Sequence, residues 1–306
     1  MKHIMFFIEY LFFKVLEKLS LILGFKKSKK LGKLIGRIAF NLIGNLRRYA
    51  TSNAKIIFGN TNKEVIKILR KTFENVGIFI TDSFFLKIIN KENYRNFVEF
   101  EDFGNLEKAL SENRGVIVVT GHFGNWEFLA GVPSKLGLVK VAVVMNRQLN
   151  PFTERMILEM RKKSNLETIY NTPEELKKII SFLRKGWIVG MVVDQAYYFD
   201  PIYVEFFGKE APTARGPAVF HLKLKSPIVM ARSILMDDGR YKLKFYEPIT
   251  FNLPYNDENV KHIMRYINKI FEEWIKEDPT QWFSWTHPRW DVQGIVIRKK
   301  INPKPN

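Results

Sequence analysis

The first 95 residues place apolar and basic positions at a helical spacing and contain few signals of β-strands. Within residues 4–24 the polar side chains share one half of a helical wheel and the other half is aromatic and aliphatic; the polar group is Glu9, Lys14, Glu17, Lys18 and Ser20. This pattern is typical of an amphipathic helix that lies in a membrane interface with its apolar face in the lipid. The alternative is a helix whose apolar face packs on the protein's own core.

The same segment makes a poor transmembrane helix, because four charged side chains interrupt it and a span needs about 20 residues with few charges. It also makes a poor signal peptide, since Glu9 breaks the apolar stretch and no cleavage site of small residues follows. We therefore predict an interfacial helix and leave open that it crosses the bilayer once.

From about residue 97 the pattern changes to short apolar runs separated by helical stretches. Buried strands are predicted at 116–120, 139–144, 188–193 and 227–231, and an edge strand is predicted at 241–246, where apolar and polar residues alternate. Helices are predicted at 125–137, 150–164, 173–185, 214–224 and 256–276. The alternation indicates an α/β fold, with a mostly parallel central sheet covered by helices on both faces.

The chain is thus expected to contain three segments that work as one functional unit. A basic, amphipathic helical extension that associates with membranes covers residues 1–95, and an α/β core covers residues 96–291. Residues 292–306 are expected to form a loosely ordered tail.

Charge and composition narrow the classes of partner. The chain of 306 residues has a net charge of +18, and its first 70 residues hold fifteen basic side chains against three acidic ones. Such an excess favours an anionic partner, which is a nucleic acid, an anionic lipid surface or an acidic carrier protein. Interleaved basic and aromatic motifs of an RNA-binding module are absent from the sequence, so no nucleic acid is expected.

The lack of cysteine excludes disulfides, thiolate metal sites and cysteine nucleophiles.

Polar segments follow four predicted strands at the point where each strand ends. They are residues 120–127, residues 146–147, residues 194–195 and Arg232. Ligands of open α/β sheets bind at the carboxyl ends of the strands. The shared position of these segments therefore predicts one site at this edge of the sheet.

The first of these segments contains a candidate catalytic pair, His122 and Glu127. Five residues separate them, so on one continuous helix they would point about 140° apart. Gly121 and Gly124 favour a tight loop instead, and Asn125 is a good N-cap for a helix that starts at the next residue. Glu127 in the first helical turn is then expected to accept from one imidazole nitrogen and leave the other as a general base. The backbone N–H groups of residues 124–126 are candidate donors to an oxyanion.

Two other interpretations of the same residues are that His122 only closes the loop while Glu127 pairs with a lysine, and that His122 binds a metal. The chain has four further histidines, and none forms a helix-face ligand pair with His122. We therefore expect no metal site.

Residues 121–127 resemble the histidine–four residues–acid block of the bacterial lipid A biosynthesis acyltransferases, which transfer lauroyl and myristoyl groups, and more distantly that of glycerophospholipid acyltransferases. Residues 146–151 are similar to the arginine block of the family, and residues 193–195 with 204–213 are similar to its third block. Residues 279–290 resemble its aromatic C-terminal signature. The resemblance covers roughly residues 5–291.

The resemblance implies transfer of a fatty acyl chain from an acyl-carrier-protein or CoA thioester to a hydroxyl of a glycolipid such as a lipid A precursor. It makes His122 the general base and Glu127 its orienting partner, with no cofactor. The implied substrate-binding residues are Arg147, Asp194, Gln195, Asn125, Thr213 and Arg232, with Arg147 binding an acceptor phosphate or helping to place the substrate. The implied location is the cytoplasmic face of the inner membrane, on an anionic lipid surface.

Two rival functions stay open at this point. The same histidine and acid could activate water, which would make a lipid or thioester hydrolase. The basic amphipathic surface would also suit a protein that binds membranes without catalysis.

Overall fold

The computed structural model describes residues 2–290, and the predicted tail at 292–306 lies outside the described residues. The α-helices of this part are α1 (Lys2–Leu23), α2 (Phe25–Leu42), α3 (Gly44–Phe58), α4 (Lys63–Ser83), α5 (Phe103–Leu110), α6 (Trp126–Lys135), α7 (Pro151–Lys162), α8 (Leu176–Arg184), α9 (Gly216–Leu224) and α10 (Asp257–Glu277). The strands are β1 (Val98–Glu101), β2 (Val116–Thr120), β3 (Val141–Met145), β4 (Leu166–Tyr170), β5 (Ile188–Val192), β6 (Ile202–Phe206), β7 (Lys209–Thr213), β8 (Ile228–Leu235) and β9 (Tyr241–Phe245).

Seven strands form the central sheet in the order β1-β9-β8-β2-β5-β3-β4. The five strands from β8 to β4 are parallel, whereas β9 runs antiparallel to β8 and β1 runs parallel to β9. Strands β6 and β7 form a separate antiparallel hairpin. Buried side chains fill a core on each face of the sheet, which confirms the predicted α/β class with a mostly parallel sheet.

The structure corrects several predicted elements. Strand β9 is interior, because β1 covers the edge that the sequence left open. The sequence pattern missed β1, β4, β6 and β7, which are four or five residues long and carry polar side chains that obscure their period. Helix α8 begins at Leu176, since residues 173–175, where the helix was predicted to start, form a turn instead.

Helices α2 and α4 approach each other at the distance of backbone contact. A Cβ atom on Gly36 would lie 2.1 Å from the carbonyl oxygen of Phe73, and one on Gly77 would lie 2.0 Å from the carbonyl oxygen of Gly32. Helix α4 in turn holds the C-terminal segment, because the amide of Asn75 donates to the carbonyl of Thr280 over 3.0 Å. The N-terminal helices therefore support the residues that surround the carboxyl edge of the sheet.

Helix α1 rests on α7 along one side only. The amide of Asn150 donates to the carbonyl of Phe6 over 2.9 Å, and the buried carboxylate of Glu17 pairs with Lys14 and Lys87. The opposite side, here called the apolar face of α1, is exposed and consists of Ile4, Met5, Ile8, Leu11, Phe12, Val15, Leu19, Ile22 and Leu23. Among residues 2–290, no helix is both long enough and apolar enough to cross a membrane.

Candidate active site

The loop between β2 and α6 carries His122 and is fixed to the C-terminal segment through the backbone. The N–H of Phe283 donates to the carbonyl of His122 over 2.8 Å, and the N–H of Gly124 donates to the carbonyl of Gln281 over 3.2 Å. Gly124 has φ +52° and passes close to β8, where a Cβ atom would lie 2.2 Å from the carbonyl oxygen of Ser233. Only glycine can adopt this positive φ and also fit this close to the backbone of β8 without strain.

His122 contacts Asp194, which follows β5. The imidazole Nδ1 lies 2.7 Å from Oδ1 of Asp194, and the backbone N–H of His122 donates to Oδ2 over 3.0 Å. The Ser284 hydroxyl and the Trp282 indole N–H also donate to Oδ2, over 2.7 Å and 2.8 Å. A carboxylate that accepts four hydrogen bonds holds the imidazole in one orientation.

The charge of Asp194 follows from these contacts. Complete burial acts to raise the pKa of this carboxyl group, but attraction to His122 and hydrogen bonds from His122 and Ser284 hold the pKa well below its usual value. Asp194 is therefore ionised at neutral pH and accepts a proton-bearing Nδ1, which leaves Nε2 of His122 as the nitrogen that can take a proton.

Glu127 binds a different partner from the one predicted. Arg161 of α7 donates from Nη2 to Oε1 over 2.6 Å and from Nε to Oε2 over 3.2 Å, which is a two-point ion pair. Both side chains are about nine-tenths buried. The predicted contact between His122 and Glu127 is thus replaced by two pairs, His122 with Asp194 and Glu127 with Arg161. The physical reason is that Glu127, in the first turn of α6, points at α7, whereas the loop turns His122 towards β5.

A cavity of about 960 Å³ opens beside His122. Its wall includes Glu127, Arg161 and Gln195 at the carboxyl edge of the sheet. The remaining wall is mainly aliphatic and aromatic, so the cavity suits a hydrocarbon chain whose reactive end lies near His122.

Arg147, predicted as a phosphate ligand, lies outside this wall on the surface. Its side chain is 67% exposed, lies 3.6 Å from a carboxylate oxygen of Glu154 and stacks on the ring of Tyr170. The neighbouring Asn146 and Gln148 line the cavity. The arginine therefore lies on the surface between two residues that line the cavity.

Three other predicted substrate ligands hold the protein together instead of lining the cavity. Asn125 is fully buried and caps α6 by accepting from the N–H of Phe128 over 3.0 Å. The hydroxyl of Thr213 accepts from the buried Arg289 over 2.9 Å. Arg232 donates to Glu277 over 2.6 Å.

Sequence reasoning did not assign roles to Arg161, Trp282 and Ser284. Trp282 and Ser284 lie within the aromatic segment at 279–290, so that segment was the available signal. Arg161 stands among other basic residues of α7 and carries no distinguishing pattern. Within residues 2–290, no group of three or more His, Asp or Glu side chains is arranged to hold a metal ion.

At the carboxyl edge of this mostly parallel sheet, an ionised carboxylate holds a histidine beside an apolar cavity. A site of this kind is suited to acyl transfer. A family model described as bacterial lipid A biosynthesis acyltransferase matches residues 1–291. The chain belongs to the bacterial lipid A biosynthesis acyltransferase family. It is an O-acyltransferase that transfers an acyl chain to a lipid.

Individual relatives are more distant. The chain is 27% identical over 271 residues to a lipid A biosynthesis palmitoleoyltransferase of Escherichia coli (strain K12), which covers 87% of this chain and 85% of the relative. The same figures hold for a lipid A biosynthesis acyltransferase of Shigella flexneri. The crystal structure of the 1-acyl-sn-glycerophosphate acyltransferase PlsC from Thermotoga maritima matches 81% of this chain and 98% of that chain, with 17% identity and a TM-score of 0.39.

Proposed function

We propose that this protein transfers a fatty acyl group from the thioester of an acyl carrier protein or CoA to a hydroxyl of a glycolipid such as a lipid A precursor. The observation that carries the proposal is the position of His122, which is fixed by an ionised carboxylate and exposed to an apolar cavity. Such a histidine can take a proton from a lipid hydroxyl while the cavity holds the chain to be transferred.

The reaction follows from this geometry. The acceptor hydroxyl donates to Nε2 of His122 and attacks the thioester carbonyl, which forms a C–O bond as the proton moves to the imidazole. Asp194 stabilises the resulting imidazolium. The C–S bond then breaks, and the departing thiolate takes the proton back from His122. The protein supplies no covalent nucleophile, because the attacking oxygen belongs to the acceptor.

Donors to the developing oxyanion must come from the start of α6 or from α7. The predicted donors at Gly124 and Asn125 are occupied, since their N–H groups bind Gln281 and Ser233. The proposal therefore uses the N–H of Trp126, at the positive end of the helix, with Arg161 nearby. Glu127 acts through Arg161 in this scheme, because it fixes the guanidinium in the cavity wall.

The surface of the N-terminal region suits the cytoplasmic face of an inner membrane. The apolar face of α1 is exposed, and a cluster of basic residues follows it directly at the start of α2: Lys26, Lys27, Lys30 and Lys33. Lys29, in the same stretch, is buried and pairs with Asp82 instead. Exposed apolar side chains beside lysines attract an anionic bilayer. We propose that α1 lies in the interface and that residues 1–95 serve as the membrane-associating part of one functional unit.

Product analysis tests the proposed reaction. The purified protein, in vesicles that contain a lipid A precursor, is given an acyl-carrier-protein thioester or acyl-CoA, and the products are identified by mass spectrometry. Acylated lipid that accumulates with one donor or the other supports the proposal. Free fatty acid as the sole product, with acceptor present, indicates a hydrolase and contradicts it. Loss of the product in His122→Ala is the control for a contaminating enzyme.

A further inference from the structure

Arg289 is a fully buried cation that the proposed reaction does not use. Its guanidinium carbon lies 4.8 Å from the centre of the Phe206 ring. Nη1 donates to the carbonyl of Pro212 over 2.8 Å, and Nη2 donates to the hydroxyl of Thr213 over 2.9 Å. Both acceptors are uncharged, so neither hydrogen bond compensates the positive charge.

The guanidinium nevertheless keeps its charge. Burial lowers the pKa of Arg289 to about 10, and attraction to Asp194 acts against this change. A pKa of about 10 leaves the group protonated at neutral pH. Burial of a charge costs free energy unless a charge of opposite sign lies near, so the protein needs an anion in the neighbourhood of Arg289.

Asp194 is a buried anion in the corresponding position. Its side chain is fully buried, and Oδ2 accepts from the indole of Trp282 and the hydroxyl of Ser284, which are uncharged donors. The imidazole of His122, which contacts Oδ1, is also uncharged before it takes a proton. The resting site therefore surrounds the carboxylate with neutral hydrogen-bond donors.

Aromatic side chains connect the two buried charges. Trp282, whose indole donates to Asp194, lies edge-on to Phe206 with ring centres 6.1 Å apart. Phe206 in turn packs against the guanidinium of Arg289. Both rings are fully buried, so water is excluded around the two charges and their attraction is screened less than that of a surface pair.

We propose that Arg289 is the counter-ion of Asp194 and that it acts through Asp194 as a positioning residue, which keeps His122 uncharged and able to accept a proton. A carboxylate alone favours the imidazolium form of a neighbouring histidine, because opposite charges attract. The positive charge of Arg289 offsets this preference. The inference rests on the proposed role of His122 as the general base.

The other groups around the imidazole and the guanidinium do not supply this charge. Glu127 and Arg161, in the cavity wall beside His122, form an ion pair with each other. Tyr198 also interacts with Arg289, but it contributes a phenol and not a carboxylate. Loss of the guanidinium charge should therefore leave Asp194 without a balancing cation.

Nuclear magnetic resonance of histidine labelled with ¹³C at Cε1 tests the proposal without an enzymatic assay. The chain has five histidines, and the signal of His122 is the one missing from His122→Ala. Its titration midpoint is measured in folded, detergent-bound Arg289→Met, with Arg289→Gln as the second variant without charge if the first does not fold. Arg289→Lys retains the charge.

Arg232→Met is the matched control for the loss of a buried arginine. Arg232 is also buried and its guanidinium lies 5.2 Å from the centre of the Trp274 ring. Its charge, however, is already paired with Glu277 over 2.6 Å. The control therefore loses a similar packing contact without removing the counter-ion of Asp194.

Removal of the charge should raise the titration midpoint of His122, because loss of a nearby cation favours the imidazolium. We expect a rise of roughly 0.5–1.5 pH units in Arg289→Met, the size of shift that one unit charge produces in a protein interior. Arg289→Lys and Arg232→Met should stay within about 0.3 pH unit of the unsubstituted protein. The acid limb of kcat/KM for acyl transfer should move in the same direction, so Arg289→Met should be most impaired at low pH and least impaired at high pH.

Two results would overturn the proposal. An unchanged or lowered midpoint in folded Arg289→Met would show that Arg289 only supports the fold, and equal shifts in Arg289→Met and Arg232→Met would show that the effect is not specific to this counter-ion. A midpoint that rises as predicted in a protein that forms no acylated lipid would support the counter-ion and count against the proposed function alone.

Discussion

His122 and Asp194 are joined at two points, since the carboxylate accepts from the imidazole Nδ1 over 2.7 Å and from the backbone N–H of the same residue over 3.0 Å. The carboxylate thus fixes both the ring and the loop that carries it. Because the ring is already fixed, Nε2 stays directed at the substrate cavity, and no side-chain freedom has to be lost during the reaction.

The Asp194→Asn variant should lose most of its turnover. An amide can donate to Nδ1, so the imidazole would carry its proton on Nε2 and could no longer act as a base. We expect kcat to fall by roughly 10²–10⁴-fold, measured as the initial rate of acylated lipid formation. A variant with kcat within a factor of about three of the unsubstituted protein would contradict the role of this pair.

The Glu127–Arg161 pair should contribute to stability as a buried unit. Arg161→Met leaves a buried carboxylate without its partner, which costs about 3–5 kcal/mol in the free energy of unfolding. The double variant Glu127→Gln/Arg161→Met should recover part of this loss, because no buried charge remains. Urea denaturation in detergent measures the free energy of unfolding of both variants.

An ion pair whose arginine is exposed provides the control for that measurement. Arg147 is 67% exposed and lies 3.6 Å from Glu154, so Arg147→Met should change the free energy of unfolding by at most about 1 kcal/mol. Equal costs for Arg161→Met and Arg147→Met would show that the Glu127–Arg161 pair is not the stabilising contact described.

The sequence was sufficient to locate the site, but it did not identify which side chains contact His122 and Glu127. Apolar runs and glycines located β2, the loop and α6, because these signals are local. The partner of His122 depends on which strand lies beside β2 in the sheet. This strand is β5, and the partner that follows it, Asp194, is 72 residues from His122 in the chain. Glu127 is nearer in sequence, but the direction in which it points is set by packing of α6 against α7. No local pattern encodes either contact.

The N-terminal helices could likewise be predicted only in part. The helical period of α1 is local, so both the helix and its apolar half follow from the sequence. The glycine contact between α2 and α4 was not predicted, because a glycine at a helix interface looks the same in sequence as one that is merely tolerated.

The close contact between α2 and α4 at their glycines should affect stability. Gly36→Ala would bring a Cβ atom to 2.1 Å from the carbonyl oxygen of Phe73, so the helices must separate. We expect a loss of about 1–3 kcal/mol in the free energy of unfolding. Gly44→Ala is the control, since Gly44 lies in α3 with no atom within 4 Å of an added Cβ. It should be neutral or slightly stabilising, and an equal loss in both variants would refute the close contact.

The apolar face of α1 should govern binding to lipid. Ile8 and Phe12 are 60% and 51% exposed, and burial of each in a bilayer contributes about 1.5–3 kcal/mol. The variant Ile8→Ser/Phe12→Ser should therefore bind anionic vesicles at least roughly tenfold more weakly in a sedimentation assay. The control is Leu138→Ser, because Leu138 is equally exposed at 51% but lies outside α1, between α6 and β3. Equal loss of binding in both variants would argue against a specific membrane surface on α1.

The most direct test of the mechanism is the rate of acyl transfer by His122→Ala, measured with vesicle-bound protein and a saturating donor. The account predicts a fall in kcat of roughly 10²–10⁴-fold, with thermal unfolding and vesicle binding close to those of the unsubstituted protein. Rates close to normal in a folded His122→Ala variant would contradict the claim that this histidine activates the lipid hydroxyl.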